Sequence, residues 1–283
     1  MISLKNLLNC QVINFQFCIC FLKLKVFLSN PAMLIKKYLS FCFRKFSDIF
    51  YDLSLFLKKQ STLIFPFTSI NNLDKQISKL IPNILNSKTF YIEVGANDGI
   101  TQSNTFFLEK KYNAKGMLIE ASPSLYEKCF LYRSEKNIFE NYALVSPNFK
   151  EEFVQLIFGN LWTTQENVYK NSLEHAKNGV LRKLPLRKLL GLPKDPVYKF
   201  FAPAITLNKL IEKHSISYVD FLSLDVEGSE LSILQGCNLE KGHIKNILIE
   251  TFDYEAINRY LIDYGYSLVK KLSNHDYLFT KIN

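Results

Sequence analysis

The stretch that decides the fold is Phe90-Tyr91-Ile92-Glu93-Val94-Gly95-Ala96-Asn97-Asp98-Gly99, an apolar strand running into a glycine turn that opens a helix. Gly95 allows a sharp turn and the approach of a ligand without a Cβ, and Gly99 lets the helix start close to the strand. In a parallel sheet this turn stands at the carboxyl end of the strand, where ligands bind. A dinucleotide fingerprint would require glycine at position 97, where backbone meets pyrophosphate. The chain instead has Asn97, with Glu93 and Asp98 adding negative charge that repels phosphate. That charge suits a cationic cofactor, and S-adenosylmethionine carries both an ammonium and a sulfonium. Taken alone, G-x-x-x-G is also the spacing of an ordinary strand-to-helix loop.

Two further strand ends add to the motif. Met117-Leu118-Ile119-Glu120 ends in a carboxylate 25 residues after Gly95. Folds of this kind use an acid there to accept hydrogen bonds from both ribose hydroxyls, although a solvated strand-end glutamate would look the same. Asp220-Phe221-Leu222-Ser223-Leu224-Asp225-Val226-Glu227-Gly228 reads as a buried strand with Asp225 and Glu227 emerging at its carboxyl end. Either carboxylate could take a proton from an acceptor hydroxyl, orient the acceptor, or hold a divalent cation that acidifies it. Glu227 could equally cap the helix that begins at Ser229.

From residue 90 onward, apolar runs alternate with helical patterns, which predicts a parallel sheet covered by helices. Strands are expected at Phe90–Gly95, Gly116–Ala121, Ile138–Ser146, Tyr218–Asp225 and Ile244–Glu250. Helices are expected at Gln102–Lys111, Ser122–Ser134, Ser229–Gly236 and Tyr254–Tyr264. Ser267–Leu272 and Tyr277–Ile282 are joined too tightly for a helical crossover and must pair antiparallel. The expectation is an α/β chain with the class I methyltransferase form of the Rossmann-like fold. It has a mostly parallel seven-stranded sheet with a C-terminal antiparallel hairpin, preceded by a helical N-terminal extension.

These residues resemble the FkbM family of S-adenosylmethionine-dependent methyltransferases. The resemblance rests on Glu93–Asn104 (EVGANDGITQSN), Leu118–Tyr126 (LIEASPSLY), Asn141–Ser146 (NYALVS), Asp220–Gly236 (DFLSLDVEGSELSILQG) and His275–Phe279 (HDYLF). It implies S-adenosylmethionine as donor and a hydroxyl oxygen of a sugar, glycan or related natural product as acceptor. Carried onto this chain, the resemblance places Glu93, Gly95, Asn97, Asp98, Gly99, Ser103 and Asn104 around the methionine moiety. Glu120 would then lie at the ribose, Ala143 near the adenine, and Asp225 near the amine and the acceptor. No single base is implied, so Asp225, Glu227, His275 and Glu250 are all candidates. His275 also fits an ordinary turn histidine.

The 283 residues carry a formal net charge of +9, which ordinarily raises the question of nucleic acid or an anionic membrane. The charge is unevenly placed. Residues 1–60 hold nine basic and two acidic residues, residues 161–200 hold eight and three, and the rest is slightly acidic. The domain expectation is therefore a basic amphipathic extension at 1–60 and a methyltransferase domain at 61–283, with a substrate-side insertion at 161–200. The insertion could contact nucleotide-sugar or lipid-linked phosphates, or be a solvated amphipathic helix. Nucleic acid is not expected, since no continuous basic face accompanies the acidic body.

Residues 6–22 are uncharged but shorter than a spanning helix and broken by Asn and Gln. The helix expected over 33–59 could lie on a membrane through Lys36, Lys37, Arg44 and Lys45, or pack on a protein surface. Six cysteines without a C-x-x-C pair indicate neither a zinc site nor a disulfide framework. A cytoplasmic chain with peripheral membrane contact fits these features. A rival reading is a non-catalytic scaffold or trafficking protein on the same fold, against which the intact motifs at Gly95–Gly99 and Asp225–Gly228 argue.

Overall fold

Short apolar runs bounded by turn residues become strands, and the amphipathic stretches between them become helices. In chain order these are α1 (Leu73–Leu80), β1 (Phe90–Val94), α2 (Phe106–Tyr112), β2 (Lys115–Ile119), α3 (Pro123–Tyr132), β3 (Ile138–Glu140), β4 (Ala143–Leu144), β5 (Phe153–Phe158) and β6 (Thr164–Gln165). They are followed by α4 (Ser172–Arg182), β7 (Tyr198–Ile205), α5 (Leu207–Lys213), β8 (Val219–Leu224), α6 (Glu230–Gln235), β9 (Ile244–Glu250), α7 (Tyr254–Asp263), β10 (Tyr266–Lys271) and β11 (Asp276–Lys281). The computed structural model describes Leu53 and residues 66–165, 171–182 and 197–282, all within a unit running from Leu53 to Asn283. The extension expected at 1–60, apart from Leu53, lies outside the described residues.

Seven strands form the main sheet in the order β10-β11-β9-β8-β1-β2-β3. The pairs β3–β2, β2–β1, β1–β8 and β8–β9 are parallel, and β11 is antiparallel to both β9 and β10. Strand β11 therefore runs alone against the other six, which is the class I methyltransferase arrangement. Successive residues of each central strand alternate between two cores. Ile92, Val94, Leu222, Leu224, Ile247 and Ile249 face one side, where they meet Leu210, Ile233 and Ile257 of α5, α6 and α7. Tyr91, Phe221 and Leu248 face the other, against Ile77, Leu108 and Cys129 of α1, α2 and α3. Burial on both faces explains why these strands read as unbroken apolar runs.

A second sheet, in the order β4-β7-β5-β6, stands apart from the first and has its own small core of Ala143, Val145, Val154, Leu156 and Ala202. Strand β4 pairs parallel with β7, while β5 is antiparallel to β7 and to β6. The single strand expected over Ile138–Ser146 is thus two, with β3 in the main sheet and β4 in the second. Helix α2 also begins later than expected, because residues 95–102 wind through left-handed conformations at Gly95, Asn97, Gly99 and Gln102. Among the described residues no helix is long and apolar enough to cross a membrane.

Candidate functional site

A cavity of about 450 Å³ opens at the carboxyl ends of β1, β2, β8 and β9. Its floor is set by a backbone contact. Gly95 has φ +79, and a Cβ built on it would lie 1.9 Å from the carbonyl oxygen of Asp225. The loop after β1 therefore touches the end of β8 backbone to backbone. On the other side, the amides of Gly95 and Ala96 both donate to the Ile119 carbonyl, at 3.0 and 3.1 Å.

Glu120 lies at the end of β2 with both oxygens in use. The Asn97 amide donates to Oε2 and the Ser122 amide to Oε1, each at 2.8 Å. Burial pushes its carboxyl up to about 7, with the two amides pulling the other way. Each oxygen keeps a lone pair that a ribose hydroxyl could fill.

Glu93 and Asp98, expected to lend charge to a cationic ligand, are engaged by the protein. Asp98 is fully buried, and its carboxylate accepts from the amides of Ile100 (3.0 Å) and Thr101 (2.6 Å) and from the Thr101 hydroxyl (2.7 Å). It fixes the loop and is absent from the cavity lining, as is Gly99. Glu93 does line the cavity, but it accepts from the Ser103 hydroxyl, the Asn104 amide and the Thr105 hydroxyl.

Arg133 at the end of α3, which nothing in the sequence pattern singles out, neutralises Glu93 through Nη1 at 3.1 Å. The same guanidinium binds Glu109 at 2.7 Å and the Tyr91 hydroxyl at 2.7 Å. Its side chain has no solvent exposure, and the surrounding anions hold its pKa well above the usual value against the cost of burial.

The wall facing this loop is acidic. Asp225 and Glu250 follow in-register neighbours on β8 and β9, Leu224 pairing with Ile249, and their carboxyls share a hydrogen bond. Burial, followed by repulsion from neighbouring carboxylates, holds Asp225 well above its ordinary range and pushes Glu250 up to about 7. His275 Nε2 lies 3.2 Å from Glu250 Oε1, and the Phe252 ring is 5.4 Å from the His275 ring. Glu227, left-handed at φ +55, lies on the same wall with its Oε2 3.2 Å from His175 Nε2. The Thr164 hydroxyl of β6 donates to the Glu227 carbonyl at 3.1 Å, tying the second sheet to this turn. His175 in turn stacks on Trp162, centroids 4.9 Å apart. Gly159 makes room for that stack, since a Cβ there would meet the Ala176 Cα at 2.7 Å.

Ser103, Asn104 and Ala143 also line the cavity. Asn104 Nδ2 donates to the Ser223 hydroxyl at 3.2 Å, while its Oδ1 is buried without a hydrogen-bond partner. A buried carbonyl left in this way favours a ligand that brings a donor. The structure thus gathers ten of the predicted residues (Glu93, Gly95, Asn97, Ser103, Asn104, Glu120, Ala143, Asp225, Glu227 and His275) around one cavity, with Glu250 beside them. Among the described residues no group of three or more His, Cys, Asp or Glu is arranged to hold a metal ion.

The profile of the methyltransferase FkbM domain matches residues 93–268. Among curated proteins none matches. Solved structures with a similar arrangement include TrmK of M. capricolum in complex with S-adenosyl-homocysteine, 12% identical, covering 76% of this chain and 67% of that one, with a TM-score of 0.32. Another is a human methyltransferase 10 domain containing protein, 9% identical, covering 73% and 80%, with a TM-score of 0.35. A third is TYW2 of M. jannaschii in complex with AdoMet, 12% identical, covering 73% and 76%, with a TM-score of 0.28. Similarity this distant says nothing about substrate.

Proposed function

We propose, since this chain belongs to the FkbM methyltransferase family, that it methylates a hydroxyl oxygen of a sugar, glycan or related small molecule. The donor is S-adenosylmethionine, and the residues present fit it. Asn104 Oδ1 supplies a buried acceptor without a partner, Glu120 keeps acceptor capacity for a ribose diol, and Asp225 and Glu250 add anionic surface. When bound, the cofactor supplies a methyl group already activated for transfer by its sulfonium.

What remains for the protein is to align the acceptor and remove its proton. The observation that carries the oxygen assignment is the Asp225–Glu250–His275 chain at the cavity. A hydroxyl must lose its proton on methylation. Glu250, hydrogen-bonded to Asp225 and 3.2 Å from His275, offers a carboxylate poised near neutrality to take it. Glu227 acts as a positioning group for the acceptor.

The test is incubation with methyl-labelled cofactor and fractionated glycan, lipid and small-molecule extracts. Label in an oxygen-linked methyl of a glycan or sugar fraction is the expected result. Label fixed to nitrogen or carbon, or no S-adenosylmethionine binding by folded protein in calorimetry, would overturn the reading.

A further inference from the structure

A short strap reaches the cavity from outside the segment that the family profile covers. Residues 67–72 precede the matched stretch at 93–268, yet Ile70 and Asn71 line the same cavity as Gln102, Ser103 and Asn104. The strap is tied down on both sides. Phe67 stacks on Phe107 of α2 with centroids 5.7 Å apart, and the Thr68 hydroxyl donates to the Ser103 carbonyl at 3.2 Å. The Ser69 amide donates to Asp74 Oδ2 at 2.9 Å and the Asp74 amide to Ser69 Oγ at 2.8 Å, while Leu73 and Asp74 are buried at the start of α1.

Between these anchors Ile70–Asn72 forms a single 3-10 turn with an unusual backbone. Asn71 and Asn72 are left-handed in succession, at φ +53 and +54. Asparagine tolerates that region better than most residues, but it is sparsely populated, and two neighbours in it are held there by the flanking anchors. The turn leaves Ile70 in the cavity lining with 46% of its surface exposed. A branched apolar side chain half in water at a ligand cavity is a placement that an apolar ligand surface relieves.

A second, independent feature names the ligand. Asn104 follows the residue that receives the Thr68 tether, is 8% exposed, and carries the buried carbonyl oxygen without a partner. Such an oxygen calls for a donor from a ligand, and the ammonium of S-adenosylmethionine is one. A short methylene chain joins that ammonium to the sulfonium, which sets an apolar stretch of cofactor beside the polar one.

We infer that residues 68–72 are a latch over the amino-acid end of the bound cofactor. Ile70 packs on its methylene chain, the Thr68–Ser103 tether holds the latch to the loop that carries Asn104, and the closed latch slows cofactor release. The inference rests on the cofactor alone and holds whichever atom of the acceptor is methylated.

The test uses full-length protein and S-adenosylhomocysteine, with release followed by displacing the labelled compound with an excess of unlabelled. Ile70→Ala should speed release about fivefold with association little changed, and Ile70→Val should restore most of the wild-type rate. The ligand-free melting temperature should stay close to wild type, since Ile70 is half exposed. Ile262→Ala, which removes an isoleucine 55% exposed on α7 and absent from the lining, should release at the wild-type rate. In hydrogen exchange, amides of residues 69–73 should slow several-fold on adding S-adenosylhomocysteine, beyond any slowing at the turn of Gly242, which does not line the cavity.

Wild-type release from Ile70→Ala, or strap amides that exchange equally with and without S-adenosylhomocysteine, would overturn the latch and leave the methyltransferase reading intact. Slowing that appears only when a labelled acceptor is added would assign Ile70 to the acceptor and overturn it too. No binding of S-adenosylhomocysteine by folded protein would remove the latch and that reading together.

Discussion

The carbonyl oxygen of Asp225 occupies the place where a Cβ on residue 95 would be, 1.9 Å away. The loop that opens the cofactor site and the strand end that carries the acidic wall are thereby locked at a separation only glycine permits. Gly95→Ala combines a left-handed φ, costing about 1–2 kcal/mol, with a backbone clash that no rotamer relieves. We expect lost binding of S-adenosylhomocysteine in calorimetry and a lowered melting temperature. Wild-type affinity would show that the two segments separate freely.

Glu120 gives a pH signature. Its folded pKa is raised to about 7 from an ordinary value near 4.5, so the folded state holds a proton that the unfolded chain has released. Stability from this group is present below about pH 4.5 and falls as pH rises to about 7, by at most about 3 kcal/mol. Urea midpoints measured from pH 5 to 8 should decline less steeply in Glu120→Gln than in wild type. Identical slopes would contradict the shift. Ribose hydroxyls stabilise the carboxylate, so cofactor binding near pH 7 should release protons, seen as a buffer-dependent binding enthalpy.

Glu250→Gln removes the proton-sharing partner of Asp225 and the neighbour of His275. With the acceptor identified by labelling, kcat should fall about a hundredfold or more, far beyond any change in S-adenosylhomocysteine affinity. The wild-type rate should rise as pH passes through about 7, where Glu250 gives up its proton, and this limb should vanish in the variant. A variant of normal kcat would remove Glu250 from the proton path.

Arg133→Met leaves Glu93 and Glu109 buried without their cation. Breaking a buried pair in this way costs about 3–5 kcal/mol, which chemical denaturation can measure. Lysine lacks the planar fork that reaches Glu93, Glu109 and Tyr91 together, so Arg133→Lys should recover little. Stability within about 0.5 kcal/mol of wild type would contradict the role assigned to Arg133.

Legibility followed the range of the signal. The turn at Gly95, the acid ending β2 and the hairpin of β10 and β11 are local patterns of glycine, charge and alternation, and each lies where the sequence predicts. The second sheet is not local. Strand β4 is two residues long, β7 contains Pro203, and their partners lie about sixty residues apart, so no window of sequence displays the pairing. Arg133 is invisible for a related reason, because a lone arginine near a helix end reads as solvated until Glu93 and Glu109 are folded onto it. Charge was the most misleading signal. Glu93 and Asp98 suggested a field for a cation, yet one is neutralised and the other braces a loop, while Glu250 and Glu227 carry the acidity into the cavity.

The pairing of Ala143 with Ala204 and Leu144 with Ile205 brings the chain back beside the point it left. The described strands between, β5 and β6, belong to an excursion anchored at this base, and Val154 and Leu156 of β5 pack with Ala143, Val145 and Ala202 in a small core of their own. Evolution could exchange such a segment wholesale for another of different length, keeping the donor machinery while altering the acceptor. On the proposed acceptor role of this segment, a chimera grafted at Leu144 and Ile205 is expected to take the substrate preference of the protein that supplies the graft, read by methyl labelling of both parents' acceptors.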